Sequence, residues 1–243
     1  MAKKQKNCDP ADPEDDHCGD YWDHVAFDAE HKLVLAVVPG ARIEENARAI
    51  VTEVKRRVGC DPPALMTSDE YPAYATAIEE VFSEPVPVPP RCKPGRPRVI
   101  PERRLPDDVT YATVHKHREN NRVIAVEQRQ IFGTPEQLEE VLGESTASRR
   151  VNTSFVERQN ATDRGRNARK TRKTYRFSKD WQVHEAMTYL TLYGYNFCWC
   201  VRTLRVKDGD GRWQERSPAI AARLTDHVWT WKEWFGRPAV KSA

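Results

Sequence analysis

An α/β fold, with a mixed sheet flanked by helices, is predicted by three features of the sequence. Two runs rich in aromatic, β-branched and aliphatic residues, 21–28 and 32–38, are separated only by Ala29-Glu30-His31, the length of a hairpin loop. Apolar Ile43, Ala47, Ile50, Val51, Val54 and Val58 then recur at helical spacing until Gly59 stops the pattern. A short apolar run, Ala64-Leu-Met-Thr67, gives way to Ser68-Asp69 and to a helix opening near Pro72. Asp69 thereby lands at the carboxyl end of a strand, where ligands of open α/β sheets gather, although a turn or cap role would also explain it.

The remaining elements follow in order. Residues 84–107 hold eight of the 17 prolines together with six arginines or lysines, so the segment is expected to be extended, basic and semi-rigid. Residues 109–117 and 122–132 read as a second hairpin around Glu119-Asn-Asn121, and Gly133-Thr-Pro135 opens a helix through Leu142. Ser178 is the expected cap of a long helix whose apolar positions include Trp181, Val183, Ala186, Met187, Leu190, Tyr193, Phe197 and Cys200. The tail gathers Trp229, Trp231, Trp234 and Phe235, either as a lid on the core or as a contact surface. Three regions result: an acidic, proline-bearing loop at 1–20, a main domain at 21–205, and a tail at 206–243.

Composition narrows the function. A net charge of +3 in 243 residues, 31% of them charged, describes a chain whose basicity is local rather than global. Mean hydropathy of -0.77 argues against a membrane protein, and six scattered cysteines without a CxxC pair suit reduced thiols in a cytoplasm. Cys8, His17 and Cys18 match no standard zinc spacing, and His115 and His117 share a strand face without a third ligand nearby.

The local basicity is concentrated between Arg149 and Arg176, where ten Lys/Arg stand against two acids, Glu157 and Asp163. Such an excess favours phosphate contact, because neutralising a polyanion releases its condensed counterions. A merely solvated helix face is the alternative. On a helix Glu157 shares a face with Asn160, Ala161 and Arg164, which brings carboxylate, amide and guanidinium to one phosphodiester.

Two stretches carry a family resemblance: Thr67-Ser-Asp-Glu-Tyr-Pro-Ala-Tyr74, and Asn152-Thr-Ser-Phe-Val-Glu-Arg-Gln-Asn160 with Arg164, Arg169-Lys-Thr171 and Phe177-Ser-Lys179. With weaker echoes at 40–42, 195–197, 202–204 and 217–219, the chain resembles an insertion-sequence transposase of the DDE type, whose catalytic domain has a ribonuclease-H-like fold. That resemblance implies metal-dependent cleavage and strand transfer at the ends of a DNA element, with Asp69 and Glu157 as catalytic carboxylates and metal ligands. Two Mg²⁺ ions about 3.5–4 Å apart, replaceable by Mn²⁺, would be the cofactors. Arg158, Asn160, Arg164, Arg166, Arg169, Lys170, Arg172 and Lys173 would hold DNA, namely the element's terminal repeats and its target. A homo-oligomer in a prokaryotic cytoplasm, associated with the nucleoid when bound to DNA, is the implied setting.

The chain departs from the family at its start. Met1-Ala-Lys-Lys-Gln-Lys6 resembles the lysine-rich turn that follows the first catalytic Asp, so that Asp and its strand are expected to be absent, as is an amino-terminal DNA-reading module. Asp28 is the tempting substitute, but a turn-forming role accounts for it. A missing central strand would leave open edges beside the first hairpin and the Asp69 strand. A non-catalytic DNA-binding product of a decayed transposase gene and a ribonuclease-H-like nuclease without strand transfer are the alternatives.

Overall fold

The structure is a computed structural model that describes residues 8–9, 11, 21–59, 61–86, 102–120, 122–171 and 175–237. Its strands and helices run β1 (Trp22–Asp28), β2 (Leu33–Gly40), α1 (Glu44–Val58), β3 (Met66–Asp69), α2 (Pro72–Phe82), β4 (Glu84–Pro85), β5 (Arg103–Arg104), β6 (Tyr111–Glu119) and β7 (Arg122–Phe132). They continue with α3 (Pro135–Glu144), α4 (Ser154–Arg166), α5 (Trp181–Cys198), β8 (Val206–Lys207), β9 (Trp213–Gln214), α6 (Pro218–Ala221) and α7 (Trp231–Gly236). This is a mixed α/β protein whose strands form several small sheets. The chain divides into two compact units, residues 43–153 and residues 1–42 with 154–243.

In the unit spanning 43–153, β3 runs parallel to β6 and β6 antiparallel to β7, giving a three-stranded mixed sheet. The hairpin expected at 109–132 is present, and the β3 strand extends to include Asp69 itself. Thr134 and Gln137 close a reciprocal capping box on α3, as Thr-Pro ahead of a helix suggests. Leu138 and Leu142 of that helix pack against Ala112 and Val114 of β6. The apolar stripe of α1 (Ala47, Ile50, Val51, Val54) is buried, and its helix packs on α2, tied by Lys55 Nζ donating to the Val81 carbonyl at 2.8 Å. Of the proline-rich segment, 87–101 lies outside the described residues. Its two ends meet as the antiparallel pair β4–β5.

In the other unit, β1 and β2 form the expected antiparallel hairpin, with a register shift at Ala26/Phe27. Val34 and Val37 of β2 pack against Leu192 and Tyr195 of α5 to make the core. Here the structure corrects the sequence reading twice. The cap of α5 is Asp180, which accepts the Val183 N–H at 2.8 Å, whereas Ser178 is fully buried. The inward face carries His184, Thr188, Leu192 and Tyr195, while Ala186 and Val183 are exposed. Apolar residues surround this helix, so its periodicity does not fix a face. Polar partners on β1 and α4 select the one that turns inward.

Asn196 shows how α5 is fastened. Its Oδ1 accepts the Val34 N–H at 2.9 Å and its Nδ2 donates to the Val34 carbonyl at 2.8 Å, so a side-chain amide serves β2 as a neighbouring strand would. All of these groups are buried. Asn196→Leu leaves a donor and an acceptor without partners and should lower stability by about 2–4 kcal/mol, read from urea unfolding. Unchanged stability would show that water replaces the amide. Among the described residues β1 pairs only with β2 and β3 only with β6, so each strand has one open edge.

Candidate DNA-processing site

Asp69 and Glu157 belong to different compact units, and each is built up from its own surroundings. Asp69 ends β3 opposite Val114 of β6 and is exposed. Its Oδ1 lies 3.4 Å from the Tyr71 N–H, the contact that turns the chain into α2. Beneath it, Ser68 Oγ and the Tyr111 hydroxyl lie 2.6 Å apart. Burial raises the Tyr111 pKa, and the nearby charge of Asp69 adds to that shift, so the phenol stays neutral beside the carboxylate.

The next residue behaves differently. Glu70 pairs with His115 Nδ1 and lies 3.0 Å from Arg129 Nη1, while Arg129 also donates to Glu127 at 2.8 and 3.0 Å. His117 Nε2 lies 3.3 Å from Glu127. Hydrogen bonds from Arg129 first, and from His117 second, pull the Glu127 carboxyl down to about 2. The two histidines, with ring centroids 4.3 Å apart, are thus each matched to a carboxylate across the sheet. They form a surface ion network.

Glu157 stands in the first turn of α4, where the helix dipole favours an anion. Gln159 and Asp163 are the inward positions of this helix, and Glu157, Arg158 and Ala161 are exposed. Asn160 and Arg164 are half-buried on the flanks, so the face predicted for phosphate contact is only partly open to solvent. The hairpin turn between β1 and β2 approaches the start of α4: Lys32 Nζ sits 3.9 Å from the Phe155 ring centre. Burial lowers the Lys32 pKa and the Arg158 charge lowers it further, while Asp28 opposes both. Asp28 is committed to its turn, accepting the Glu30 and His31 N–H groups at 2.8 and 3.2 Å and pairing with the His31 ring at 2.6 Å.

The predicted cations divide into two kinds. Arg158 and Arg169 are exposed, whereas Arg166 stacks on Trp199 at 3.5 Å, with its Nη1 buried and lacking a hydrogen bond. Burial lowers the pKa of this guanidinium. Lys170 departs furthest from the expectation. Its side chain is 6% exposed, and its ammonium donates to Asp163 at 2.6 Å and lies 3.0 Å from Asp23. An ammonium neutralised by two carboxylates and shielded from water is an internal strut, with little left to offer a phosphate. Arg172 and Lys173 lie outside the described residues.

Around Lys170 the structure assembles a polar seam that sequence reasoning missed. His184 Nε2 reaches Asp23 at 3.2 Å, and Thr191 donates to Asp163 at 2.9 Å. Burial acts to raise the Asp23 pKa, but His184 and Lys170 outweigh it and hold the carboxyl below its ordinary range. Asp23 lies 161 residues from His184 and is comparably far from Lys170, so no local spacing signals those pairs, whereas Asp163 is only 7 residues from Lys170.

Asp69 and Glu157 are hard oxygen donors of the kind that suits Mg²⁺. Among the described residues, no group of three or more His, Cys, Asp or Glu gathers in metal-holding geometry. Among the described residues, no helix is long and apolar enough to cross a membrane. No family model matches the sequence, and no curated protein or solved structure matches it significantly.

Proposed function

We propose that the protein is the catalytic domain of a DDE-type transposase, cutting and joining phosphodiesters at the ends of a DNA element. The observation that carries this reading is the exposed Asp69 at the carboxyl end of β3, beside a parallel neighbour strand, where α/β sheets present chemistry. The exposed Glu157 and Arg158 at the head of the basic helix α4 support it. In this reading Arg158, Arg169 and the half-buried Arg164 and Asn160 hold the phosphates, and Asp69 and Glu157 are the catalytic carboxylates. Asp69 and Glu157 are the carboxylates offered to a divalent metal, which would supply Lewis-acid chemistry to the attacking water or 3′ hydroxyl and to the leaving oxygen. The likeness of the two motif stretches to such enzymes supports the ribonuclease-H-like version of the fold, a homo-oligomer, and a prokaryotic cytoplasmic setting.

The test is a duplex carrying the terminal repeats that flank the gene, incubated with the full chain and Mg²⁺ or Mn²⁺, with EDTA as control. Nicked ends followed by joined products are expected only with metal. Nicking without joining would replace the transposase by a simple nuclease. Salt-sensitive binding without any metal-dependent nicking would leave the second reading, a DNA-binding product that occupies element ends without cutting. That reading needs only the exposed cations of α4 and its flank.

A further inference from the structure

The β8–β9 hairpin presents an indole where the core does not need one. Trp213 is 57% exposed on a two-residue strand, paired directly opposite Lys207. Arg205 lies 5.1 Å and Lys207 5.3 Å from its ring centre. The turn that joins the strands is fixed. Asp208 Oδ1 accepts the Asp210 and Arg212 N–H groups at 3.0 and 2.8 Å, and Gly211, at φ +78°, supplies the left-handed residue. The hairpin base is anchored as well, since Arg216 Nε donates to the Leu204 carbonyl at 2.8 Å and Leu204 is buried.

An isolated two-stranded hairpin is marginally stable in water, and an exposed tryptophan there costs solubility without filling a core. The chemistry around the ring is one-sided. Between Arg202 and Arg216 five cations stand against three acids. Of those acids, Asp208 is used by the turn and Glu215 bonds to the Cys200 thiol, which leaves Asp210 exposed at the tip of the turn. Arg205 and Lys207 lie over the ring yet leave it 57% exposed, and Arg212 adjoins Trp213 in the chain. That pairing of a stacking platform with flanking positive charge matches a nucleotide whose base is unstacked from its neighbours: the base covers the indole, and the phosphates on either side meet the cations. A paired duplex keeps its bases inside and offers the indole nothing to stack on.

We propose that the β8–β9 hairpin is a single-strand DNA contact, with Trp213 stacking on an unpaired base and Arg205, Lys207 and Arg212 on the adjoining phosphates. The proposal rests on the DNA-processing reading and goes beyond it: the cations of α4 grip the duplex backbone, and the hairpin captures a strand once its bases are splayed or freed. No residue of the hairpin belongs to the predicted site.

The experiment uses the full chain and fluorescence anisotropy of labelled oligo-thymidine, alone and as a duplex with oligo-deoxyadenosine. Trp213→Ala should weaken single-strand binding roughly 5- to 150-fold, the range for loss of one base–aromatic stack. Duplex binding should change far less, and Trp213→Phe should keep most of the single-strand affinity. Lys207→Ala should reduce the slope of log K against log salt on the single strand by about 0.7. Urea unfolding of each variant should match the parent, because none of these side chains belongs to the core. Equal single-strand affinity for parent and Trp213→Ala overturns the proposal while leaving duplex binding, and so the broader reading, intact. Equal loss with Ala and Phe, accompanied by a lower unfolding midpoint, also overturns it by making the indole structural. A parent chain that binds neither probe sinks both readings.

Discussion

Asp69→Ala and Glu157→Ala should each abolish cleavage of element-end DNA, by about 10³-fold or more, while leaving DNA affinity unchanged or slightly raised. The magnitude is that of removing a positioned charged group from a reacting centre. Unchanged affinity follows from charge: both carboxylates are exposed and negative, so deleting either removes repulsion from a polyanion rather than a contact. Gel-shift titration and single-turnover cleavage on the same preparations separate the two quantities. Asp28→Asn is the informative comparison. Its amide still accepts the Glu30 and His31 N–H groups, so the turn survives and cleavage should persist within a few-fold. Full activity of Asp69→Ala or Glu157→Ala would remove the transposase reading. Loss of activity in Asp28→Asn with an intact fold would return Asp28 to the candidate carboxylates.

The second large effect concerns stability. Lys170→Met leaves the buried Asp163 and the half-buried Asp23 without their ammonium and should cost about 3–5 kcal/mol at neutral pH, lowering the urea midpoint by more than 1 M. Arg169→Ala, one residue away and exposed, should stay within about 0.5 kcal/mol of the parent yet weaken DNA binding. The pair of variants separates a strut from a phosphate contact. The effect also has a pH signature. The folded Asp23 carboxyl lies below its ordinary value of 3.8, so the stability it contributes is fully present above that pH. It is lost as pH falls through the lowered folded value. The gap between parent and Lys170→Met should accordingly be widest at neutral pH and shrink below about pH 4, as the Asp23 carboxyl takes up its proton. A gap independent of pH would mean that Lys170 acts through packing alone.

These two results touch residues that the sequence presents alike. Arg169 and Lys170 are adjacent cations in one basic run, and on charge density they are equivalent. Their difference arises because a short 3-10 turn at Ala168–Lys170 rotates Lys170 inward, toward carboxylates on β1 and α4. Arg166 shows the same limit, since its guanidinium lies on Trp199 and Tyr195 rather than in solvent. Elements governed by local chemistry were more legible. The Pro72 start of α2, the Thr134 capping box and the hairpin at 22–40 follow from residues within a few positions of each other. The α5 face was illegible because both of its sides carry large apolar residues.

The sequence by itself determined the order of the longer strands and helices, the position of Asp69 at a strand end and of Glu157 at a helix start, and the local excess of cations. Each depends on spacing, capping or composition within a single segment. Tertiary structure alone decided which of those cations face water and which are locked to carboxylates, that Asn196 completes the edge of β2, and that Trp213 stands exposed beside Arg205 and Lys207. The physical reason is common to all three: burial and charge pairing are properties of groups brought together by folding, and no residue carries them in its own name.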